Sequence, residues 1–223
     1  MEKKDWEDLI GKVREMGEWF PDTLVFIGGI AVWARCMEAE NGYGAMTHDA
    51  DIAIGDMEFS DLRSLEQVMT NRRLGKHEFI KGGFSFDVYE ARSSKLPVPV
   101  DEIISESEVI HFGDGENSIR VANLGHLLKM KAVAAKDRAH SMKGKKDQED
   151  IIKILMLMEN VSIPENIHRL DDDDMNVIDD AVKSDAVVRI VSGNLHEAKP
   201  LRNQSKQILQ RIKCILSHEG PEP

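Results

Sequence analysis

Apolar residues at Trp6, Leu9, Ile10, Val13, Met16 and Phe20 recur at helical spacing and stop at Pro21, which predicts an amphipathic first helix. Leu24-Val25-Phe26-Ile27 is a short unbroken apolar run closed by Gly28-Gly29, the pattern of a buried strand. Beyond the glycines the sequence predicts a small-residue helix over 30–37 and a second strand over 51–54. An amphipathic helix follows over 61–69, with Ser60 or Asp61 near its start. Residues 76–81 and 84–90 flank Gly82-Gly83, a two-residue connection suited to a hairpin turn with positive φ. Residues 109–112 and 118–121 predict another hairpin around Gly113-Asp114-Gly115.

From Asn123, a candidate N-cap, the pattern turns helical and stays so. Leu124, Leu127, Leu128, Lys131, Ala134, Ala135 and Arg138 define one helix. Residues 147–158 define a second, dense in Ile, Leu and Met, and the tail from Pro200 repeats Leu201, Ile208, Leu209, Ile212, Ile215 and Leu216. The expected class is α+β: a mixed β-sheet flanked by helices over residues 1–122, then a helical C-terminal region over 123–223. Whether the two halves share one core is left open by the pattern.

Composition narrows the class further. With 41% apolar and 31% charged residues in a 223-residue chain, a sizeable core is affordable and neither a disordered nor a fibrous protein fits. No apolar run approaches the ~20 residues of a membrane helix, and Met1-Glu2-Lys3-Lys4-Asp5 carries no signal-peptide core. The expectation is a cytoplasmic protein with no membrane partner. Cys36 and Cys214 lie far apart without metal spacing and read as reduced thiols.

The net charge of -11 argues against nonspecific binding to a phosphate backbone. The charge is uneven, however. Lys129, Lys131, Lys136, Arg138, Lys143, Lys145 and Lys146 face the single acid Asp137 between His126 and Lys146, which suggests a local phosphate site. The run Asp171-Asp172-Asp173-Asp174 precedes an apolar helical pattern and suits a helix N-terminus better than a calcium loop.

The candidate chemistry sits in Thr47-His48-Asp49-Ala50-Asp51 and in Asp87 of Phe84-Ser85-Phe86-Asp87-Val88-Tyr89. Alternate strand residues project to one side ~6–7 Å apart, so Asp49 and Asp51 point together. Clustered carboxylates repel, and a divalent cation relieves that repulsion, so a hard-metal site is the leading reading over a solvated turn. An EF-hand does not fit, because its twelfth position is Ser60 rather than a bidentate acid. Asp87 alternates with Phe86 and Val88 and faces either that site or solvent.

Gly28-Gly29, Thr47, Asp49, Asp51 and Asp87, in that order, resemble the active-site signature of the nucleotidyltransferase superfamily, the DNA polymerase β-like fold. Leu127-Leu128-Lys129-Met130-Lys131-Ala132, Arg138, Lys146-Asp147 and Asp150 are similar to the helical motif of AbiEii-type nucleotidyltransferases, which include toxins of bacterial toxin–antitoxin and abortive-infection systems. The resemblance implies an enzyme that moves a nucleoside monophosphate from an NTP to an acceptor hydroxyl. It implies two Mg2+ ions, or Mn2+, on Asp49, Asp51 and Asp87, with Asp87 orienting the acceptor and serving as its base.

Gly28, Gly29 and Thr47 would then meet phosphate oxygens. Lys131 and Arg138, two helical turns apart, would reach the triphosphate. Asp147 and Asp150 would orient those cations or contact the base or ribose. The acceptor implied is tRNA, protein or a small molecule, and a toxin would have a cognate antitoxin as partner. Relatives often carry an Arg ahead of the Thr-x-Asp-x-Asp element, where this chain has Gly44, Ala45 and Met46. The alternatives are an aminoglycoside or lincosamide nucleotidyltransferase, a Mn2+-dependent glycosyltransferase using Asp49 and Asp51, and a non-catalytic nucleotide-binding module.

Overall fold

The computed structural model describes the chain apart from residues 1–2, 41–42, 45–46, 48, 93, 113–116, 160–162 and 219–223, and apart from the side chains of 3–6, 112, 117, 168 and 218. Its internal contacts divide it into two units, Met1–Asn123 and Leu124–Pro223.

The first unit is built on a seven-stranded sheet. In chain order its strands are β1 (Leu24–Ile27), β2 (Asp49–Ile54), β3 (Met69–Asn71), β4 (Lys76–Lys81), β5 (Phe84–Glu90), β6 (Glu108–Phe112) and β7 (Asn117–Val121). Across the sheet the order is β3-β4-β5-β2-β1-β7-β6. β1 runs antiparallel to β2 and parallel to β7, and β2 runs parallel to β5. The sheet is therefore mixed, and the class is α+β. The expected hairpin at Gly82-Gly83 is present between β4 and β5. Both glycines have positive φ, 59° and 87°, as a two-residue turn matched to strand twist requires. The β6–β7 pair is also as expected, while its turn at 113–115 lies outside the described residues.

Strand alternation sorts the side chains to two faces. Phe26, Ile52, Val88, Phe86 and Phe79 share one face and are almost wholly buried. Phe79 and Phe86 stack with ring centroids 5.0 Å apart. Helix α1 (Lys3–Trp19) covers Phe26 at Gly17, where an added Cβ would lie 3.7 Å from the ring. The remaining helices here are α2 (Gly28–Glu38), α3 (Asp56–Leu65) and α4 (Val100–Ser105). α3 brings Phe59 within 4.3 Å of the His77 ring on that same face. The opposite face carries Val25 and Ile27 of β1, Asp49 and Asp51 of β2, Asp87 of β5, and Lys76, Glu78 and Ile80 of β4.

Several boundaries differ from the sequence expectation. The helix expected over 61–69 runs from Asp56 to Leu65, entered from extended Gly55, with Asp56 and Glu58 in its first turn where the helix dipole favours acids. Ser60 and Asp61, expected near the start, lie mid-helix. Met69, expected to end the helix, pairs with Glu78 in β3. Leu65 and Met69 are both exposed, so the apolar spacing that extended the helix marks no buried stripe there. β2 begins at Asp49 rather than Asp51, which puts both aspartates in the strand.

The second unit is helical. It contains α5 (Leu124–Asp137), α6 (Met142–Leu157), a 3-10 turn (Glu165–Arg169), α7 (Asp172–Lys183), α8 (Ala186–Ile190) and α9 (Leu195–His218). α6 starts five residues before the expected 147. Ser141 caps it by accepting a 3.0 Å hydrogen bond from the Gly144 N–H. Gly144 stands so close to the Arg138 carbonyl that a Cβ would collide with it, and this lets the chain double back tightly from α5. α9 starts at Leu195, and Pro200 lies inside it instead of opening it.

The acidic run acts as a helix start. Asp171 caps α7 and exchanges hydrogen bonds with Asp174 in a capping box, 2.9 and 3.0 Å. Lys129 pairs with both of these acids and Lys136 pairs with Asp173, so the acidic and basic blocks of the sequence partly cancel in space. No helix among the described residues is long and apolar enough to cross a membrane.

Candidate active site

The sheet brings the first-unit residues together by register. Asp51 lies opposite Asp87 across the parallel β2–β5 pair, Asp49 lies opposite Ser85, and Asp87 lies opposite Glu78 across β5–β4. Adjacent strands are ~4.8 Å apart, so Asp51, Asp87 and Glu78 form a row of carboxyl groups on one face, with Asp49 one pleat along. These side chains are half-buried rather than sealed.

Two features fix the aspartates. Buried Thr47 donates its hydroxyl to Asp49 Oδ1 at 2.8 Å, which orients that carboxylate. Ile27, the last residue of β1, is the register partner of Asp51, and the next residue, Gly28, has φ +66°. A Cβ at Gly28 would overlap the Asp51 carboxylate. Glycine is therefore required twice, by the left-handed backbone and by the close approach of Asp51. Gly28 and Gly29 open α2, so their N–H groups stand at a helix N-terminus beside that carboxylate, a setting that favours anions and their counter-ions.

Sequence reasoning missed Glu78 and Lys76. Lys76 Nζ pairs with Asp87 Oδ2, and with Glu78 Oε1 at 3.3 Å. Burial alone would lower the Lys76 ammonium, but its hydrogen bonds and charge contacts with Asp87 and Glu78 outweigh that and raise it above its ordinary value. The alternation Lys76, Glu78, Ile80 on a strand paired with β5 was the available signal. It needed the hairpin register to become a statement about Asp87.

The donor set suits a hard divalent cation. Three aspartate carboxylates on one face offer only oxygen ligands, Thr47 orients Asp49, and a Cβ at Gly28 would fill the space beside the Asp51 carboxylate. Among the described residues the three do not stand within 4.8 Å of one another, so holding one ion would draw them together. His48, Ala45 and Met46 lie outside the described residues.

The second-unit residues form a different arrangement. Lys131 on α5 reaches Asp147 Oδ1 at 3.1 Å and Asp150 Oδ2 at 2.8 Å, both on α6. Lys153 adds a 3.0 Å contact to Asp150 Oδ1, and Arg138 reaches Asp147 Oδ2 at 2.8 Å from just past the end of α5. Lys131, Lys153, Asp147 and Asp150 are buried, whereas the Arg138 side chain is 42% exposed. Burial would push the Asp150 carboxyl up, but the charges of Lys131 and Lys153 hold it below its ordinary range. The spacing that placed Lys131 and Arg138 on one helical face is realised as convergence on Asp147.

No protein-family model matches the sequence, and no curated protein matches it significantly. Among solved structures, the chain is similar to an antigenic nucleotidyltransferase-like protein from Paracoccidioides brasiliensis. The TM-score is 0.55 at 13% identity, over 86% of this chain and 94% of that one. A tRNA-processing enzyme overlaps 96% of this chain and 58% of its own, at 14% identity and a TM-score of 0.30, too loose to carry an argument. At such identities the first likeness is one of fold, and the chain has a nucleotidyltransferase-like α+β fold.

Proposed function

We propose that the protein is a metal-dependent nucleotidyltransferase that moves a nucleoside monophosphate from an NTP to an acceptor hydroxyl. The observation that carries the reading is the register that sets Asp51 beside Asp87, with Gly28 at the head of α2 against the Asp51 carboxylate. Asp49, Asp51 and Asp87 would hold Mg2+, as two ions, and when bound these supply charge neutralisation on the phosphoryl and pyrophosphate oxygens. Thr47 keeps Asp49 turned toward the shared face. The N–H groups of Gly28 and Gly29 bind phosphate oxygens that no Cβ shields at Gly28. Asp87 accepts the proton of the acceptor hydroxyl as it attacks.

The acceptor is a hydroxyl of RNA, protein or a small molecule. The AbiEii-type pattern of Lys131, Arg138, Asp147 and Asp150 favours a toxin held in check by a cognate antitoxin. The test incubates the protein with each α-labelled NTP, Mg2+, bulk tRNA, cell protein and candidate antibiotics. Label should pass to one acceptor class and disappear in Asp49→Ala and Asp51→Ala. Absence of transfer to every class, together with absence of NTP binding in Mg2+ or Mn2+, would overturn the proposal.

A further inference from the structure

The carboxylate face includes one cation that nucleotidyl transfer, as proposed above, leaves without a role. Lys76 opens β4 with its side chain only 11% exposed, and its ammonium lies on Asp87 Oδ2 and near Glu78 Oε1. Because Glu78 is the register partner of Asp87, the lysine has two carboxylates on neighbouring strands within reach of one short movement. The lysine at the other end of the same strand makes a useful contrast. Lys81 also pairs with acids, Glu66 and Glu15, but its ammonium lies over the Trp19 ring, 4.1 Å from the centroid, on the face away from Asp51.

An ammonium and a divalent cation compete for the same carboxylate oxygens. A bound ion a few ångströms away also repels the lysine through a partly desolvated medium, where charge interactions are strong. Asp87 therefore cannot serve both at full strength.

We propose that Lys76 is a positioning residue that holds Asp87 in place until a divalent cation arrives and then shifts its ammonium to Glu78, so that Lys76 and Glu78 together set the affinity of the metal site. This rests on Asp49, Asp51 and Asp87 being that site. Removing Lys76 removes a competitor and tightens metal binding. Removing the Glu78 charge takes away the place to which the lysine withdraws and weakens it.

The experiment is calorimetric titration of the full chain with Mn2+, with melting curves to establish that each variant is folded. Lys76→Met should bind Mn2+ about tenfold more tightly than the unaltered protein, and Glu78→Gln severalfold more weakly. Lys76→Arg, which keeps the charge, should return to the original affinity. Lys81→Met should leave it unchanged. Equal or weaker Mn2+ binding by folded Lys76→Met overturns the proposal while leaving the metal site standing. If Lys76→Met does not fold, unchanged affinity in Glu78→Gln overturns it instead. Titration of Lys76→Met alone, with the unaltered protein silent, supports the competition directly. Silence from both removes the metal-site reading, and this proposal with it.

Discussion

Two groups of aspartates, one in each unit, show how burial and charge matching separate a candidate site from a brace. On the first-unit sheet, Asp49, Asp51, Asp87 and Glu78 share a half-buried face to which β4 also brings Lys76. In the second unit, Asp147 and Asp150 are buried on α6 and met by Lys131, Lys153 and Arg138. The first arrangement sets its carboxylates half-exposed on neighbouring strands, where charge can be added from solvent. The second has each of its acids paired with two cations from the same unit. Half-exposed carboxylates on neighbouring strands are suited to share a divalent ion, as proposed above, whereas a matched buried network ties α5 to α6 and resists change.

The largest effect should come from breaking the brace. Asp150→Ala leaves Lys131 and Lys153 buried with one fewer counter-charge and should cost about 3–5 kcal/mol, read as a loss of thermal stability. Asp51→Asn should behave in the opposite way. Its melting temperature should change far less than that of Asp150→Ala, since the side chain is half-exposed and the replacement keeps its shape, while nucleotide transfer falls about a hundredfold or more, read with labelled NTP. A fold collapse in Asp51→Asn would put that residue in the same class as Asp150.

Gly28→Ala falls between the two. The left-handed backbone and the overlap with Asp51 should cost about 1–2 kcal/mol in unfolding, with weakened metal binding beside it. The smallest effect concerns acid. The Asp150 carboxyl is held low in the folded state, so its contribution is complete above the ordinary carboxylate range and is lost as pH falls through the lower folded value. Lys153→Met lessens that lowering, so the midpoint of acid unfolding, followed by helical circular dichroism, should move to higher pH.

Legibility in the sequence followed the range of the interactions involved. β1, α2 and the β4–β5 hairpin were readable because Leu24-Val25-Phe26-Ile27, Gly28-Gly29 and Gly82-Gly83 act through local backbone preference. The pairing of Asp49 with Asp51 followed from strand alternation, but their meeting with Asp87 depends on the parallel β2–β5 register. Here the family resemblance anticipated a placement that spacing alone leaves open. Glu78 and Lys76 were missed because their relevance exists only once β4 is aligned on β5. Residues 61–69 misled because Leu65 and Met69 continue an apolar rhythm on an exposed surface. Along the chain the basic block suggested a phosphate site. In the fold, Lys129, Lys131, Lys136 and Arg138 all have carboxylate partners contributed by distant positions, which no local charge count contains.

The central claim is that the first-unit carboxylates bind a nucleoside triphosphate through a divalent cation, and ligand-dependent melting tests it without knowledge of the acceptor. At a hundred times its dissociation constant a ligand stabilises the folded state by about 2.7 kcal/mol, a readily measured rise in melting temperature. At least one of ATP, GTP, CTP and UTP should produce that rise with Mg2+ or Mn2+ present, lose it on chelation, and produce none in Asp51→Asn. No rise with any of the four, or an equal rise in Asp51→Asn, would contradict the account.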